Sequence, residues 1–137
     1  MIGIVIVAHG GLAREYLAAM EHVVGRRPGT RAISIGAEDD RTLKQAEVAA
    51  AVAEVDDGAG VVVVTDMFGG TPSNLAVAAC SDPDRKVLYG VNLPMLIKLA
   101  KARHKPLDVA VDCALDAARK YINCADGLGV TKGAITA

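Results

Sequence analysis

Short runs of continuously apolar residues alternate along this chain with longer segments in which apolar residues recur every three or four positions. The first run, IGIVIVA at 2–8, and the third, within GAGVVVVTD at 58–66, contain hardly any polar side chains. Continuous apolar runs of this length are typical of strands buried on both faces of a parallel sheet. The pattern predicts strands at 2–8, 31–35, 58–66 and 86–90, and helices at 12–24, from the cap Asp40 to Val55, and at 72–80, 94–103 and 108–123.

This alternation predicts an α/β fold of three layers, with helices on both faces of a mainly parallel sheet of about four strands. Crossovers between parallel strands are right-handed. If the second and third strands lie on opposite sides of the first, the strand order is 2-1-3-4. We expect a single domain over residues 1–137, whose last segment, about 125–137, is either an antiparallel edge strand or a frayed tail.

Composition narrows the class of protein. Aliphatic residues must build the core, because 52% of the 137 residues are hydrophobic and only 3% are aromatic, and the net charge of −1 gives no basic surface for nucleic acid. No apolar stretch reaches the roughly 20 residues that span a bilayer, and we expect no cleaved leader. Cys80, Cys113 and Cys124 form no CxxC pair, which predicts reduced, mostly buried thiols in a cytoplasmic protein.

Two residues with useful chemistry follow neighbouring strands of the predicted sheet. His9 ends the first strand and Asp66 ends the third. In the order 2-1-3-4 the topological switch point lies between these strands, and ligands bind there at the carboxyl ends. Because neighbouring strands are about 4.8 Å apart, we expect the imidazole and the carboxylate to meet.

Glycines and predicted helix starts surround this pair. Thr71 and Pro72 have the pattern of an N-cap and a first helical residue, and Gly69 and Gly70 before them let the backbone approach an anion closely. Gly10, after His9, also leads into a helix. The free N–H groups of two helix starts facing one histidine predict a phosphate site, although a strand-end histidine and a Gly-Gly turn are each also common as structural features.

A neutral imidazole is a nucleophile near pH 7. The predicted role of Asp66 is to bind one ring N–H of His9, which fixes the tautomer and stabilises the positive charge that develops when the other nitrogen attacks phosphorus. Helix amides and the Thr71 hydroxyl would bind the phosphoryl oxygens. Neither GxxxxGK[ST] nor GxGxxG follows a strand, so we predict no nucleotide cofactor and a phosphoryl donor other than bound ATP. The absence of a CxxC pair predicts no metal site.

Three stretches, IVIVAHGGLA at 4–13, VTDMFGGTPSN at 64–74 and GVNLPMLIKL at 90–99, resemble the IIA domain of the mannose family of the bacterial phosphoenolpyruvate-dependent sugar phosphotransferase system (PTS). The resemblance runs from residue 1 to about residue 123. It implies a phosphocarrier in which His9 takes a phosphoryl group from phosphorylated HPr, on the ring nitrogen distal to the backbone. It also implies that Asp66 is the partner of the other ring nitrogen, and Thr71 matches the hydroxyl residue of the family's Gly-Gly-Ser/Thr-Pro turn.

The resemblance further implies an acceptor and an assembly. The phosphoryl group would pass to a IIB protein, or the chain would act as a regulatory phosphorylation sensor. Family members form homodimers that exchange a C-terminal edge strand, for which residues 130–136 are the candidate here. Gly11, Phe68 and Ser73 depart from residues common in transporter members, at positions that would affect the choice of partner.

Three other functions fit parts of the pattern. A histidine phosphatase or mutase also phosphorylates a strand-end histidine, but Ala8 stands where its RHG motif has arginine. A metal chelatase of the tetrapyrrole type is a small α/β protein with HG after its first strand, but His22 and His104 are poorly placed as further ligands. A non-enzymatic module would sense an anion at the same crevice without transferring it.

Overall fold

The structure, a computed structural model, describes residues 1–126. They form a four-stranded sheet with helices on both faces. The strands are β1 (Gly3–His9), β2 (Thr30–Ile35), β3 (Val61–Thr65) and β4 (Arg85–Leu88). The helices are α1 (Leu12–Val24), α2 (Arg41–Val55), α3 (Thr71–Ala78), α4 (Leu93–Lys101) and α5 (Leu107–Lys120).

The strand order is β2-β1-β3-β4 and all three pairings are parallel. This confirms the predicted α/β fold and its order. The register pairs His9 with Ile35 on β2 and Val7 with Thr65 on β3. The carboxyl ends of β1, β2 and β3 therefore meet at one edge of the sheet, where the switch point was predicted.

Side chains of the central strands alternate between two apolar cores. On β1, Ile4 and Ile6 pack into the core formed with α1, α4 and α5, whereas Val5 and Val7 pack into the core formed with α2 and α3. The strand needs apolar residues at every position because both of its faces are covered.

The third strand is shorter than the predicted 58–66. The carboxylates of Asp56 and Asp57 accept hydrogen bonds from the amides of Gly58 and Ala59, which makes a turn of the segment before β3. At the other end β3 stops at Thr65, so Asp66 follows the strand and its carboxylate is free to turn towards β1.

Three further expectations from the sequence concern the C-terminal segment, membrane-spanning helices and the cysteines. The candidate exchange strand, residues 130–136, lies outside the described residues, so the exchanged strand and the homodimer stay predictions. Within residues 1–126 no helix has the length and apolar character needed to cross a membrane. The three cysteines are unpaired; Cys80 and Cys113 are half-buried, but Cys124 is exposed, so the expectation of mostly buried thiols was wrong for that residue.

Candidate functional site

The switch point brings His9 and Asp66 into direct contact. Nδ1 of the His9 ring lies 2.8 Å from Oδ2 of Asp66, and the backbone amide of His9 donates to the same oxygen at 2.9 Å. The other carboxylate oxygen accepts a hydrogen bond from the Met67 amide at 2.9 Å. Because Nδ1 faces an acceptor, it carries the proton of the neutral ring, and Nε2 is left with a free electron pair.

The carboxylate of this pair is shielded while the imidazole is open. The exposed fraction of the side chain is 13% for Asp66 and 48% for His9. Burial favours the protonated acid, but the hydrogen bonds from the amide and ring of His9, and then from the Met67 amide, outweigh it and hold the pKa of Asp66 below its ordinary value. Asp66 is therefore ionised at neutral pH and can stabilise positive charge on the ring.

The start of α3 packs directly against the imidazole. A Cβ atom on Gly70 would lie 2.9 Å from Cε1 and 3.3 Å from Nε2 of His9. The φ angle of Gly70 is −92°, which any residue adopts, so glycine is required here by space and not by backbone conformation. Nε2 consequently faces the first residues of α3.

The sequence predicted Thr71 as the N-cap of α3, and this prediction was wrong. The extended backbone of Gly70 takes the N-cap position, Thr71 is the first helical residue, and no side chain caps the helix. Within residues 1–126 the amides of Gly70, Thr71 and Ser73 find no acceptor. These groups and the Thr71 hydroxyl are available to an anion beside Nε2, because helix-start amides point out of the N-terminus.

Gly10 and Gly69 shape turns instead of offering amides. The Gly10 amide donates to the Ile35 carbonyl at 2.9 Å, and the Gly69 amide donates to Oγ of Ser73 at 3.0 Å. Both glycines have positive φ, +56° and +94°, which other residues adopt only with strain. Among the four residues predicted to bind phosphate, Gly70 packs against the His9 ring, while Gly10 and Thr71 line the same cavity as His9; phosphate binding by all four stays a prediction.

A cavity of about 440 Å³ opens beside His9 on the β2 side. It is bounded by the carboxyl ends of β1 and β2 and by the first turns of α2 and α3, with side chains that include Arg41, Lys44, Thr71 and Leu75. Arg41 and Lys44 were not among the predicted site residues, because nothing in the local sequence connects the start of α2 with His9. The hydrogen bond that Ser73 accepts was not predicted either.

Four apolar residues that follow the carboxyl ends of β1, β3 and β4 in sequence are exposed: Leu12, Met67, Phe68 and Tyr89. Phe68 reaches 74% exposure. The rings of Phe68 and Tyr89 meet edge to face, with centroids 5.0 Å apart. We call these four residues the rim patch; exposed apolar residues beside a polar site are typical of a protein contact surface.

In the described part of the chain, no three His, Cys, Asp or Glu side chains come together in a way that could hold a metal ion. His22 and His104 are both exposed, and neither lines the cavity beside His9.

Comparisons with known proteins agree with one another. The family model described as PTS system fructose IIA component (EIIA-man) matches residues 3–113. The chain is 31% identical over 137 residues to the PTS system mannose-specific EIIAB component of Escherichia coli (strain K12); the match covers 97% of this chain and 42% of that protein, so this chain spans less than half the length of that relative.

Two solved structures are similar over most of their length. The phosphotransferase system component EIIA from Streptococcus agalactiae shares 32% identity with a TM-score of 0.76, over 89% of this chain and 95% of that one. The mannose/sorbose specific IIA subunit from Enterococcus faecalis shares 28% identity with a TM-score of 0.81, over 91% of this chain and 95% of that one.

Proposed function

This chain belongs to the EIIA-man family of PTS IIA components, and we propose that it is a phosphocarrier that uses Nε2 of His9. The proposed donor is phosphorylated HPr, and the proposed acceptor is a IIB protein or a regulatory target. The observation that carries the proposal is the 2.8 Å contact between Nδ1 of His9 and Asp66, because it leaves Nε2 unprotonated and aimed at the start of α3.

In the proposed step the electron pair of Nε2 attacks the phosphorus of the donor's phosphohistidine. The new N–P bond forms as the donor's N–P bond breaks, and that electron pair stays on the donor imidazole, which then takes up a proton. The His9 ring gains positive character during attack and keeps its Nδ1 proton, hydrogen-bonded to the Asp66 carboxylate. Onward transfer is the same step with His9 as the leaving group.

Negative charge on the phosphoryl oxygens would be met by preformed donors. The start of α3, with its unpartnered amides, lies on the Nε2 side of the ring, and Thr71 lines the same cavity as His9. Such donors need little reorganisation when the phosphoryl group arrives, and a helix start also favours negative charge through its dipole.

A protein donor fits the surroundings of His9 better than a small molecule does. The imidazole is about half exposed, and the rim patch next to it presents apolar side chains to solvent. A partner that carries its phosphoryl group on a side chain can bury this patch and bring phosphorus to Nε2. The proposed setting is the cytoplasm, which suits three unpaired cysteines.

The test is phosphorylation with phosphoenolpyruvate, enzyme I and HPr. We expect one acid-labile, base-stable phosphate per wild-type chain and none on His9→Ala. His22→Ala, which removes an exposed histidine from α1, should be labelled as the wild type is. Asp66→Ala should keep its circular dichroism spectrum and lose about ten- to a hundredfold in transfer rate, because the tautomer is no longer fixed.

Other outcomes would support the alternative functions. Steady hydrolysis of phosphomonoesters would favour a phosphatase, and tight binding of cobalt or iron would favour a chelatase. Binding of inorganic phosphate at the crevice without any transfer to His9 would favour an anion-sensing module, and each of these results would overturn the carrier.

A further inference from the structure

The cavity beside His9 is lined by one acid, Asp39, and two cations, Lys44 and Arg41, and Arg41 forms no ion pair with any described carboxylate. Nζ of Lys44 lies 3.0 Å from Glu47 and 3.9 Å from Asp39, so its charge is shared with two acids. Asp39 also accepts a hydrogen bond from the Gly36 amide at 2.6 Å. Arg41, by contrast, makes no ion pair or hydrogen bond through its side chain with any other residue in 1–126.

The position of Arg41 is unfavourable for the helix that bears it. Arg41 is the first residue of α2, whose first turn has no acidic residue, and the N-cap is filled by Asp40, which accepts from the Leu43 amide at 3.0 Å. A cation at a helix N-terminus opposes the positive end of the macrodipole. A cation that is unfavourable for its own helix and has no ion-pair partner is expected to have a role outside the helix.

The first turns of α2 and α3 border the same cavity, which His9 also lines. At the start of α3 the available donors are neutral amides and a hydroxyl. A phosphoryl group on Nε2 would bring about two negative charges into this space, and the only unpaired positive charge among the described lining residues is that of Arg41.

We propose that Arg41 binds the phosphoryl group carried by His9, from the side of the cavity opposite the rim patch. This inference rests on the proposed function. The planar guanidinium offers two parallel N–H donors that match two phosphoryl oxygens, while the rim patch stays free for the partner. Arg41 therefore stabilises the phosphorylated protein relative to the unphosphorylated one.

The test compares wild type with Arg41→Gln, Arg41→Lys and Arg31→Gln. Arg31 lies on β2, is paired with Glu54 and does not line the cavity, so its substitution removes the same charge elsewhere. At a fixed ratio of phosphorylated to unphosphorylated HPr, Arg41→Gln should lower the ratio of phosphorylated to unphosphorylated His9 about three- to tenfold. Arg41→Lys should recover only part of it, because lysine keeps the charge but lacks the two parallel N–H donors.

A second readout is specific to contact with the phosphoryl group. Its ³¹P chemical shift, followed against pH, reports its last ionisation; loss of the cation should raise this pKa by roughly 0.5 in Arg41→Gln and leave it unchanged in Arg31→Gln. Asp39, Lys44 and Glu47 are the same in all four proteins, so their charges cancel in the comparison.

Failures of the two proposals are distinguishable. If wild type is phosphorylated but Arg41→Gln matches Arg31→Gln in both readouts, the role of Arg41 is wrong and the carrier stands. If wild type takes no label, the proposed function itself falls. Arg41→Glu, which suits a helix N-terminus, should show a larger loss than Arg41→Gln and serves as the second variant if the glutamine protein is poorly folded.

Discussion

Gly70 and Gly11 occupy equivalent places in sequence, each before a helix that starts near His9, yet they face different surroundings. A Cβ on Gly70 would lie 2.9 Å from the imidazole, whereas one on Gly11 would meet nothing within 4 Å. Both are N-cap residues with ordinary negative φ, −92° and −87°. Glycines before helices therefore predict an anion site, but the sequence does not show at which position a side chain would clash with His9.

Gly70→Ala should displace the His9 ring and slow phosphorylation about a hundredfold, because small displacements of a reacting group cost rate steeply. Gly11→Ala is the matched control and should stay within a few-fold of wild type. Initial rates of label transfer from HPr measure the difference. Equal rates for the two variants would mean that the close approach of α3 to the ring has no part in the chemistry.

Asp66 gives the protein a pH dependence of stability with a defined sign. Burial opposes ionisation, but the hydrogen bonds from His9 and Met67 prevail and lower the pKa of the folded carboxyl. The unfolded chain then binds more protons than the folded one in acid, so the contribution of Asp66 is complete above about pH 5 and is lost as pH falls below about 4, through the folded pKa.

Urea unfolding of wild type and Asp66→Asn over a pH series measures this contribution. We expect the difference in free energy of unfolding to shrink as the solution is acidified from about pH 5 to about pH 3. A difference that grows over this acid range would show that the folded carboxyl has a raised pKa instead.

At the scale of elements, Asn92 joins two helices. Its Oδ1 accepts from the Met95 amide at 3.0 Å and caps α4, while its Nδ2 donates to the Ala118 carbonyl on α5 at 2.9 Å. The cap follows from the NLP pattern at 92–94, with proline in the first turn. The bond to α5 does not, because it depends on how the two helices pack.

Asn92→Ala should lower the free energy of unfolding by about 2 kcal/mol, since it removes the cap and leaves a carbonyl unpaired. Asn92→Ser keeps a capping oxygen but is too short to reach Ala118, so about half of that loss is expected. Urea unfolding separates the two variants. If serine costs as much as alanine, the cap contributes nothing and the contact with α5 carries the whole effect.

The helices, the strands and the strand order were largely predictable from the sequence, and the reason is physical. β1 and β3 are covered on both faces, so their sequences are continuously apolar, and α1 spans Leu12–Val24 as its pattern predicted. The start of α3 was misplaced by one residue, because an extended glycine can fill an N-cap position without a capping side chain. The local sequence favours Thr71 as the N-cap, but in the structure Gly70, which packs against His9, takes that position.

At the scale of the whole molecule, two unlike surfaces adjoin the carboxyl ends of the strands. The residues that follow β1, β3 and β4 include the exposed apolar rim patch, and the cavity that His9 lines towards β2 contains Arg41. The pairing of His9 with Asp66 was predictable, since adjacent parallel strands bring their carboxyl ends together. The positions of Arg41 and Lys44 in the cavity were not predictable, because the start of α2 reaches it only through tertiary packing.

The central claim is that Asp66 holds the proton on Nδ1 of His9 so that Nε2 carries the phosphoryl group. The most direct measurement is ¹⁵N NMR of the imidazole in the phosphorylated protein, with phosphorus coupling used to identify the substituted nitrogen. The account predicts coupling to phosphorus at Nε2 and a proton retained on Nδ1. Phosphorus on Nδ1, or on any residue other than His9, would contradict it.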